Sequence, residues 1–229
     1  MCGRFVMVSD LDDVVDAFQV SQVESLMKGS YNITPGSDIA VITGSGEGGR
    51  TLRDMRWGLP LPGREEGSAG RLLINARSET VDRKPTFSEA FRNRRCLVTA
   101  NGYYEWESRK EVRVPWYIQL ISGELMGMAA VYSVIAEKNG VPIPACAIIT
   151  TEANDLTRPI HHRMPTILGA DDINTWLGEG IDEAALKNLL RPRASIDMTA
   201  REVSRAVNSP RHNGPSCIKP VVDLFPAGK

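Results

Sequence analysis

The chain has 229 residues, of which 42% are hydrophobic and 24% are charged, and its formal net charge at pH 7 is −1. A chain of this size can bury a full core without disulfides or a structural metal, so we expect one domain spanning residues 1–229. The balanced charge excludes a general polyanion binder, and the short apolar runs exclude a chain that spans a bilayer with helices.

The four cysteines are scattered and lack the spacing of metal ligands. Cys96 and Cys146 lie in apolar runs, which predicts buried, reduced side chains. No basic segment followed by an apolar stretch opens the chain, so no secretory signal is evident. We therefore expect a cytoplasmic, reducing environment. We also expect a monomer without membrane contact or cofactor.

The first third of the chain predicts short strands separated by turns rich in glycine and proline. Phe5–Val8 predicts a strand, and Ser9–Asp13 predicts a helix start that is followed by apolar residues at helical spacing. We then predict a turn at Tyr31–Gly36 and two strands, Asp38–Thr43 and Leu52–Trp57, joined by a hairpin tip at Gly44–Gly49. A loop is predicted at Pro60–Gly70.

The remainder predicts more strands with a few helices. Helices are predicted over Thr86–Arg94, from Asp171 or Asp172 to Leu177, and over Ile181–Leu190. Strands are predicted at Cys96–Thr99, Tyr103–Glu107, Trp116–Leu120, Leu125–Tyr132, Ala145–Thr150, Met198–Val203 and Cys217–Val221. These elements predict an α+β fold in which flanking helices pack on a curved, barrel-like mixed β-sheet.

The residue behind the initiator methionine is a cysteine, and removal of Met1 would expose a thiol and a free α-amine on Cys2. A model α-amine has a pKa of about 7.7–8.0, against about 10.4 for lysine, so more of it is neutral near pH 7.5. Such an amine attacks an aldehyde to give an imine. The thiol can then close on the imine as a thiazolidine ring. The alternative is a structural Cys2 beneath the first strand.

Three polar segments interrupt apolar strands and are candidates for a reactive site. Asn75 and Arg77 could orient an amine and hold a phosphate, or could be a turn asparagine beside a surface arginine. Glu105 lies between aromatic residues, where burial would raise its pKa toward a useful range, unless it points outward. His161 and His162 are adjacent and in an extended segment would point to opposite sides, which favours proton transfer over a metal site.

Taken together, ordered segments of this sequence resemble the SOS response-associated peptidase (SRAP) family, whose members process abasic sites. The matching stretches are Met1–Phe5, Tyr31–Gly36, Trp57–Leu59, Ile74–Thr80, Lys84–Phe87, Arg95–Val98, Gly102–Trp106, Thr150–Asn154, His161 with Arg163–Pro165, and Val203–Asn208. They follow one another along nearly the whole chain. Each is weak alone, but the ordered set is specific.

The resemblance implies a protein that loses Met1 and cross-links itself through Cys2 to abasic sites in single-stranded DNA during the response to DNA damage. It implies that Asn75 orients the amine, that Glu105 moves protons and that His161 acts on the sugar oxygen. The implied DNA-contacting residues are Arg4, Arg77, Arg163, Thr150 and Trp106. Contacts of this kind grip phosphates and stack on bases without reading sequence.

The sequence departs from the family pattern in ways that bear on this hypothesis, and two other functions compete with it. His162 stands where many relatives carry an acidic residue, and the stretch 60–66 lacks the tryptophans that often follow the Trp57-Gly58 motif. One other function is a cysteine peptidase that acts mainly on its own N-terminus. The other is a nucleic-acid binding module without chemistry, against which the joint presence of Cys2, Asn75, Glu105 and His161 argues.

Overall fold

Fourteen β-strands and four α-helices make up the described part of the chain, which in this computed structural model comprises residues 2–46, 48–61, 72–136 and 142–221. The strands are β1 Phe5–Met7, β2 Gln22–Val23, β3 Ser30–Ile33, β4 Asp38–Gly44, β5 Arg50–Trp57, β6 Asn75–Arg77, β7 Arg95–Ala100, β8 Gly102–Arg109, β9 Val112–Leu120, β10 Met126–Ala136, β11 Pro142–Glu152, β12 Arg163–Pro165, β13 Ile167–Leu168 and β14 Met198–Glu202. The helices are α1 Leu11–Phe18, α2 Ser88–Asn93, α3 Ala170–Leu177 and α4 Glu183–Leu189. Within these ranges no helix combines the length and the apolar character needed to cross a bilayer.

Five strands close on themselves and form a barrel in the order β11-β10-β7-β4-β5. The ring closes because β11 pairs with β10 on one side and, in parallel, with β5 on the other, through Ala145 opposite Arg56 and Cys146 opposite Trp57. Closure satisfies the backbone groups that an open sheet edge would leave unpaired. Parallel and antiparallel pairs both occur, so the predicted barrel-like mixed sheet is confirmed.

A second, antiparallel sheet in the order β14-β9-β8-β1-β3 covers the barrel. Phe5 on β1 and Trp57 on β5 pack edge to face across the interface, with ring centroids 5.0 Å apart. Both rings are buried, and they belong to the main hydrophobic core. This packing places the start of the chain between the two sheets.

Helix α1 shows why the local sequence folds as predicted. The Asp13 carboxylate accepts a hydrogen bond from the backbone N–H of Asp10, which precedes the helix, at 3.3 Å. Val14 and Phe18, four residues apart, are buried on one face of the helix. The helix ends at Gln19, which adopts a left-handed conformation with φ of 50°.

The hairpin between β4 and β5 confirms the predicted glycine-rich tip. The backbone N–H of Ser45 donates to the carbonyl of Gly49 at 3.0 Å. Gly46 and Gly48 have φ of 72° and 79°, which residues with a Cβ rarely adopt. Glycine is therefore required by the geometry of this turn.

Three predictions for local structure were wrong. Tyr31–Gly36 was expected to be a turn, but β3 occupies its first part and the turn begins only afterwards. Gly169, not Asp171 or Asp172, caps α3, and both aspartates lie in its first turn.

The third error concerns the predicted strand Cys217–Val221. A 3-10 helix over Pro215–Cys217 replaces its start, and only Pro220 pairs, in an isolated bridge to Val203. The other predicted helices and strands are present with shifted ends, whereas the short strands β2, β12 and β13 were not predicted. Cys96 and Cys146 are free and buried, as expected. Most of the predicted loop Pro60–Gly70, including most of the stretch without tryptophans, lies outside the described residues.

Candidate active site

Cys2 is fixed at the interface of the two sheets by its backbone. Its carbonyl oxygen accepts a hydrogen bond of 2.9 Å from Nδ2 of Asn75, the first residue of β6. Asn75 is held in turn because β6 pairs in parallel with β11, opposite Ile148. The Oδ1 atom of Asn75 is buried and has no hydrogen-bond partner among the described residues. An unused acceptor therefore lies beside the start of the chain.

The Cys2 side chain is completely buried. Burial raises the pKa of its thiol far above the ordinary value, and the charge of Glu105 raises it further. The sulfur is therefore protonated at neutral pH. Any reaction that uses this sulfur must remove its proton in the same step, so a base is needed nearby.

Glu105 supplies a carboxyl group at this point. It belongs to β8, which pairs antiparallel with β1, and the backbone N–H of Tyr104 donates to the carbonyl of Arg4 at 2.9 Å. This register places Glu105 opposite the first residues of the chain. The side chain is only 3% exposed, and burial raises the pKa of the carboxyl. The prediction that Glu105 points inward is confirmed, and the outward-pointing alternative is wrong.

His161 lies beside Glu105, with its Nδ1 atom 4.0 Å from Oε1 of the carboxylate. The Nδ1 atom lies 3.0 Å from the backbone N of Arg163 and 3.2 Å from its carbonyl oxygen. We assign the shorter contact as a hydrogen bond donated by the N–H to Nδ1, which leaves the proton of the neutral ring on Nε2. Burial lowers the pKa of His161 to about 4. The imidazole is therefore neutral near pH 7 and presents Nε2–H as a donor.

The two adjacent histidines do not point to opposite sides, and this expectation was wrong. The rings of His161 and His162 stack, with centroids 4.4 Å apart and planes inclined by 26°. They follow a turn and precede the first residue of β12, so they lack the alternation of a strand. His162 thereby covers one face of the His161 ring.

An open cleft of about 380 Å³ leads to Glu105. Its lining residues are Gly3, Arg4, Glu105, Trp106, Arg113 and Asn208, and we call it the active-site cleft. Oδ1 of Asn208 accepts a hydrogen bond of 2.7 Å from the indole N–H of Trp106. The Arg4 guanidinium carbon lies 5.9 Å from the centre of the Trp106 ring. The cleft thus combines an aromatic surface with positive charge.

The arginines predicted to hold phosphates have different surroundings. Arg4 donates to Oδ1 of Asn32 at 2.6 Å and to the carbonyl of Val207 at 2.9 Å, which fixes its position in the cleft wall. Arg77, at the end of β6, is exposed and forms no ion pair with any described residue. Arg4 is thus preorganised, whereas Arg77 is free to meet an anion.

Arg163 is buried and is already paired. Its guanidinium binds both carboxylate oxygens of Glu79, with 3.0 Å from Nη2 to Oε2, and it also donates to the carbonyl of Thr150. The Thr150 hydroxyl donates to the carbonyl of Ala76 at 3.3 Å and is buried. Arg163 could therefore reach a phosphate only by giving up Glu79. In this structure it fixes the segment that carries His161.

Three residues of the site were not identified from the sequence. Arg113 and Asn208 line the active-site cleft, and Glu79 pairs with Arg163. Glu79 and Asn208 lie within the matched stretches, but nothing in their neighbourhood suggests a role. Arg113 lies outside those stretches. Arg113 could have been recognised from its position near the start of β9, because β9 pairs with β8, the strand that carries Glu105.

A larger cavity, of about 630 Å³, lies elsewhere and contains none of the predicted site residues. It is lined in part by Phe5, Ile33 and Ile39. Within the described ranges, no group of three or more His, Cys, Asp or Glu side chains is arranged to hold a metal ion.

Comparison with known proteins identifies the family. The family model described as "SOS response associated peptidase (SRAP)" matches residues 1–210. The chain belongs to the SRAP family. This confirms the resemblance seen in the ordered motifs.

Individual SRAP relatives are similar over three quarters or more of this chain. The chain is 37% identical over 223 residues to "Abasic site processing protein YoqW" of Bacillus subtilis, covering 96% of this chain and 99% of that protein. It is 32% identical over 198 residues to "Abasic site processing protein HMCES" of Gallus gallus, covering 75% and 58%. A crystal structure of a protein from Bacteroides thetaiotaomicron superposes with a TM-score of 0.86 at 26% identity, covering 96% and 100%.

Proposed function

We propose that this protein processes abasic sites in single-stranded DNA by cross-linking itself to them through Cys2, once Met1 has been removed. The observation that carries the proposal is the hydrogen bond from Asn75 to the Cys2 carbonyl, which holds the start of the chain beside Glu105 and His161. Relatives named for abasic-site processing support the choice of substrate. We further propose that the protein acts as a cytoplasmic monomer in the response to DNA damage.

The proposed reaction is a condensation without oxidation or reduction. The Cys2 amine adds to the aldehyde carbon of the open-chain sugar, and the resulting carbinolamine loses water to give an imine. Because the departing hydroxyl takes its proton from Glu105, the imine nitrogen keeps its own proton. The sulfur then bonds to the imine carbon, and the thiol proton goes to the Glu105 carboxylate. The sum is an aldehyde and an aminothiol giving a thiazolidine and one water molecule.

Each group of the site has a role in these steps. Asn75 Oδ1, buried and without a described partner, accepts a hydrogen bond from the amine and orients its lone pair. Glu105 protonates the departing hydroxyl as an acid and then takes the thiol proton as a base. Burial raises the pKa of this carboxyl, which favours its acid form more than in an exposed glutamate and suits a group that both gives and takes a proton.

His161 acts on the sugar. Neutral at pH 7, its ring has a proton on Nε2 that can be donated to the ring oxygen as the closed sugar opens, and the proton that the anomeric hydroxyl releases as the aldehyde forms restores Nε2–H. Ring opening is required because only the open form has the aldehyde. His162, stacked on His161, limits rotation of the imidazole and so helps to keep this donor in place.

The DNA strand is held by charge and stacking. Arg4 and Arg77 bind phosphates, and Trp106 offers a partly exposed ring for stacking in the active-site cleft. Arg163 and Thr150 complete the proposed DNA-binding set, and Arg163 would have to exchange Glu79 for a phosphate. Phosphate contacts and stacking do not distinguish one base from another, so binding is expected to be independent of the DNA sequence.

The central prediction concerns a covalent product. The protein incubated with single-stranded DNA that contains one abasic site is expected to give a shifted band on a denaturing gel, because the ring survives denaturation. A Cys2→Ala variant is expected to lose that stable band by at least ~100-fold, since no thiol remains to close the ring. A Cys217→Ala variant, which removes another buried thiol, serves as the control.

Two outcomes contradict the proposal. A wild-type protein that gives no shifted band is not a cross-linker. An undiminished band from Cys2→Ala would assign the linkage to another residue. Equal non-covalent binding to intact and abasic strands, without any band, would instead support a binding module that lacks the chemistry.

A second candidate function is hydrolysis of the bond before Cys2, in which water adds to the Met1–Cys2 peptide bond and leaves a free amine. The charge of Glu105 acts directly on the Cys2 thiol, so a base is available beside this bond. Mass spectrometry of a Glu105→Ala variant decides the matter. Met1 retained in the variant alone means that the protein processes itself. Met1 lost from both means that a separate aminopeptidase removes it.

A further inference from the structure

Arg113 occupies a position that neither the motifs nor the relatives' names explain. It lies on β9 directly opposite Ser108 of β8, so its side chain shares a face of the hairpin with Trp106. It lines the active-site cleft together with Arg4 and Glu105. An exposed cation therefore lies on the same path that a DNA strand would take to Cys2.

Among the described residues, Arg113 forms no close ion pair and no side-chain hydrogen bond, so its guanidinium interacts with Glu105 only at longer range. Arg109, on the same hairpin, is different: it pairs with Glu107 and Glu202, each at 2.8 Å. Arg163 is likewise paired with Glu79. Arg113 thus stands out as a cleft arginine whose planar fork is available for an anion.

The electrostatics of the site agree with this position. Burial raises the pKa of Glu105, and the positive charge of Arg113 is among the influences that counteract this shift. Burial likewise lowers the pKa of His161, and Arg113 adds to that effect. A cation that is felt by both proton-transferring groups lies close to the reacting sugar. A phosphate bound there would belong to the abasic nucleotide or to its neighbour.

We infer that Arg113 binds a backbone phosphate next to the abasic sugar, on the wall of the active-site cleft that it shares with Trp106 and Arg4. The inference rests on the proposed function and adds a DNA-binding residue to it. With phosphates held by Arg4 and Arg113, the sugar between them is fixed relative to Glu105. Arg113 therefore contributes to affinity and to placement of the sugar, without forming any covalent bond.

The test measures non-covalent binding and its salt dependence. The probe is a fluorescent single-stranded oligonucleotide with one tetrahydrofuran abasic analogue, which lacks the aldehyde and cannot cross-link. Fluorescence anisotropy is recorded over a series of KCl concentrations for wild type, Arg113→Gln, Arg113→Lys and Arg109→Gln. Arg109→Gln is the matched control, because it changes the net charge equally on the same hairpin.

Arg113→Gln is expected to raise Kd by ~3- to 10-fold and to reduce the slope of log K against log salt by ~0.7, the value for one phosphate contact on a single strand. Arg113→Lys is expected to keep the slope, since it keeps the charge. Arg109→Gln is expected to stay within about twofold of wild type, as its charge is already paired. In a separate assay with aldehyde-containing DNA below saturation, the cross-linking rate of Arg113→Gln is expected to fall by at least the same factor as its affinity, because placement of the sugar is lost as well.

Three results would overturn the inference. An Arg113→Gln variant with wild-type affinity and slope places Arg113 outside the DNA path. If Arg109→Gln loses as much affinity as Arg113→Gln, the effect comes from the overall charge and not from the position of Arg113. If wild type cross-links abasic DNA in either case, the proposed function stands and only Arg113 is reassigned. A wild-type protein that neither binds nor cross-links removes the proposed function and, with it, this inference.

Discussion

A Cys2→Ser variant is expected to lose the stable cross-link and yet to keep an adduct that cyanoborohydride can trap. Serine retains the α-amine, which still forms an imine with the sugar aldehyde. A hydroxyl is a far weaker nucleophile than a thiol, so the stabilising ring does not persist. We expect the untreated band to fall by at least ~100-fold and the reduced band to remain within about tenfold of wild type.

The controls for this experiment separate the two nucleophiles. Mass spectrometry of each protein first establishes that Met1 is absent, because an amide nitrogen cannot form the imine. DNA with the tetrahydrofuran analogue gives no band in any lane if the aldehyde is the target. A Cys2→Ser band as strong as wild type without reductant would exclude sulfur from the linkage. Absence of a trapped band would exclude the amine.

The strands were predictable because their signals are local. The apolar runs at β7 and β11 and the alternation along β8 can be recognised within six to eleven residues of sequence. The errors arose where turn residues follow a strand directly. Pro35 and Gly36 suggested that the turn extends back over β3, although Ile33 pairs with Phe5. Tertiary pairing decided the conformation there, and one sequence does not reveal it.

The residue types of the site could be predicted, but their partners could not. The aromatic neighbours of Glu105 indicated its burial, and position 2 made Cys2 a candidate nucleophile, with a structural cysteine as the alternative. The contact between Asn75 and Cys2 depends on β6 pairing with β11 while β1 pairs with β8. The family resemblance implied that Arg163 contacts a phosphate, whereas the structure pairs it with the distant Glu79. Long-range contacts of this kind are set by topology.

The pair formed by Glu79 and Arg163 leads to a second large expected effect. Arg163 is buried, with a side chain that is 10% exposed, and it also contributes the backbone N–H that holds His161. A Glu79→Gln variant leaves this guanidinium without its counter-charge. We expect the free energy of unfolding to fall by ~1–3 kcal/mol, less than for a fully buried pair because Glu79 is partly exposed. Urea denaturation measures the change.

A matched pair on the surface provides the control. Glu89 binds Arg94 through both carboxylate oxygens, as Glu79 binds Arg163, but the Arg94 side chain is 34% exposed. Glu89→Gln is therefore expected to cost no more than ~0.5–1 kcal/mol. If Glu79→Gln lowers the free energy of unfolding no more than Glu89→Gln does, burial of Arg163 does not make its ion pair more stabilising than a surface pair.

A double variant separates the lost charge from the lost shape. In Glu79→Gln with Arg163→Met no uncompensated cation remains, so the double variant is expected to be more stable than Glu79→Gln alone. The backbone N–H that binds His161 persists in both proteins, although the segment that carries it loses the guanidinium contact to Thr150 only in the double variant. Cross-linking that recovers together with stability would mean that Glu79 supports the site by neutralising Arg163. Cross-linking that stays low despite recovered stability would mean that the guanidinium itself is needed to position His161 or to hold the DNA.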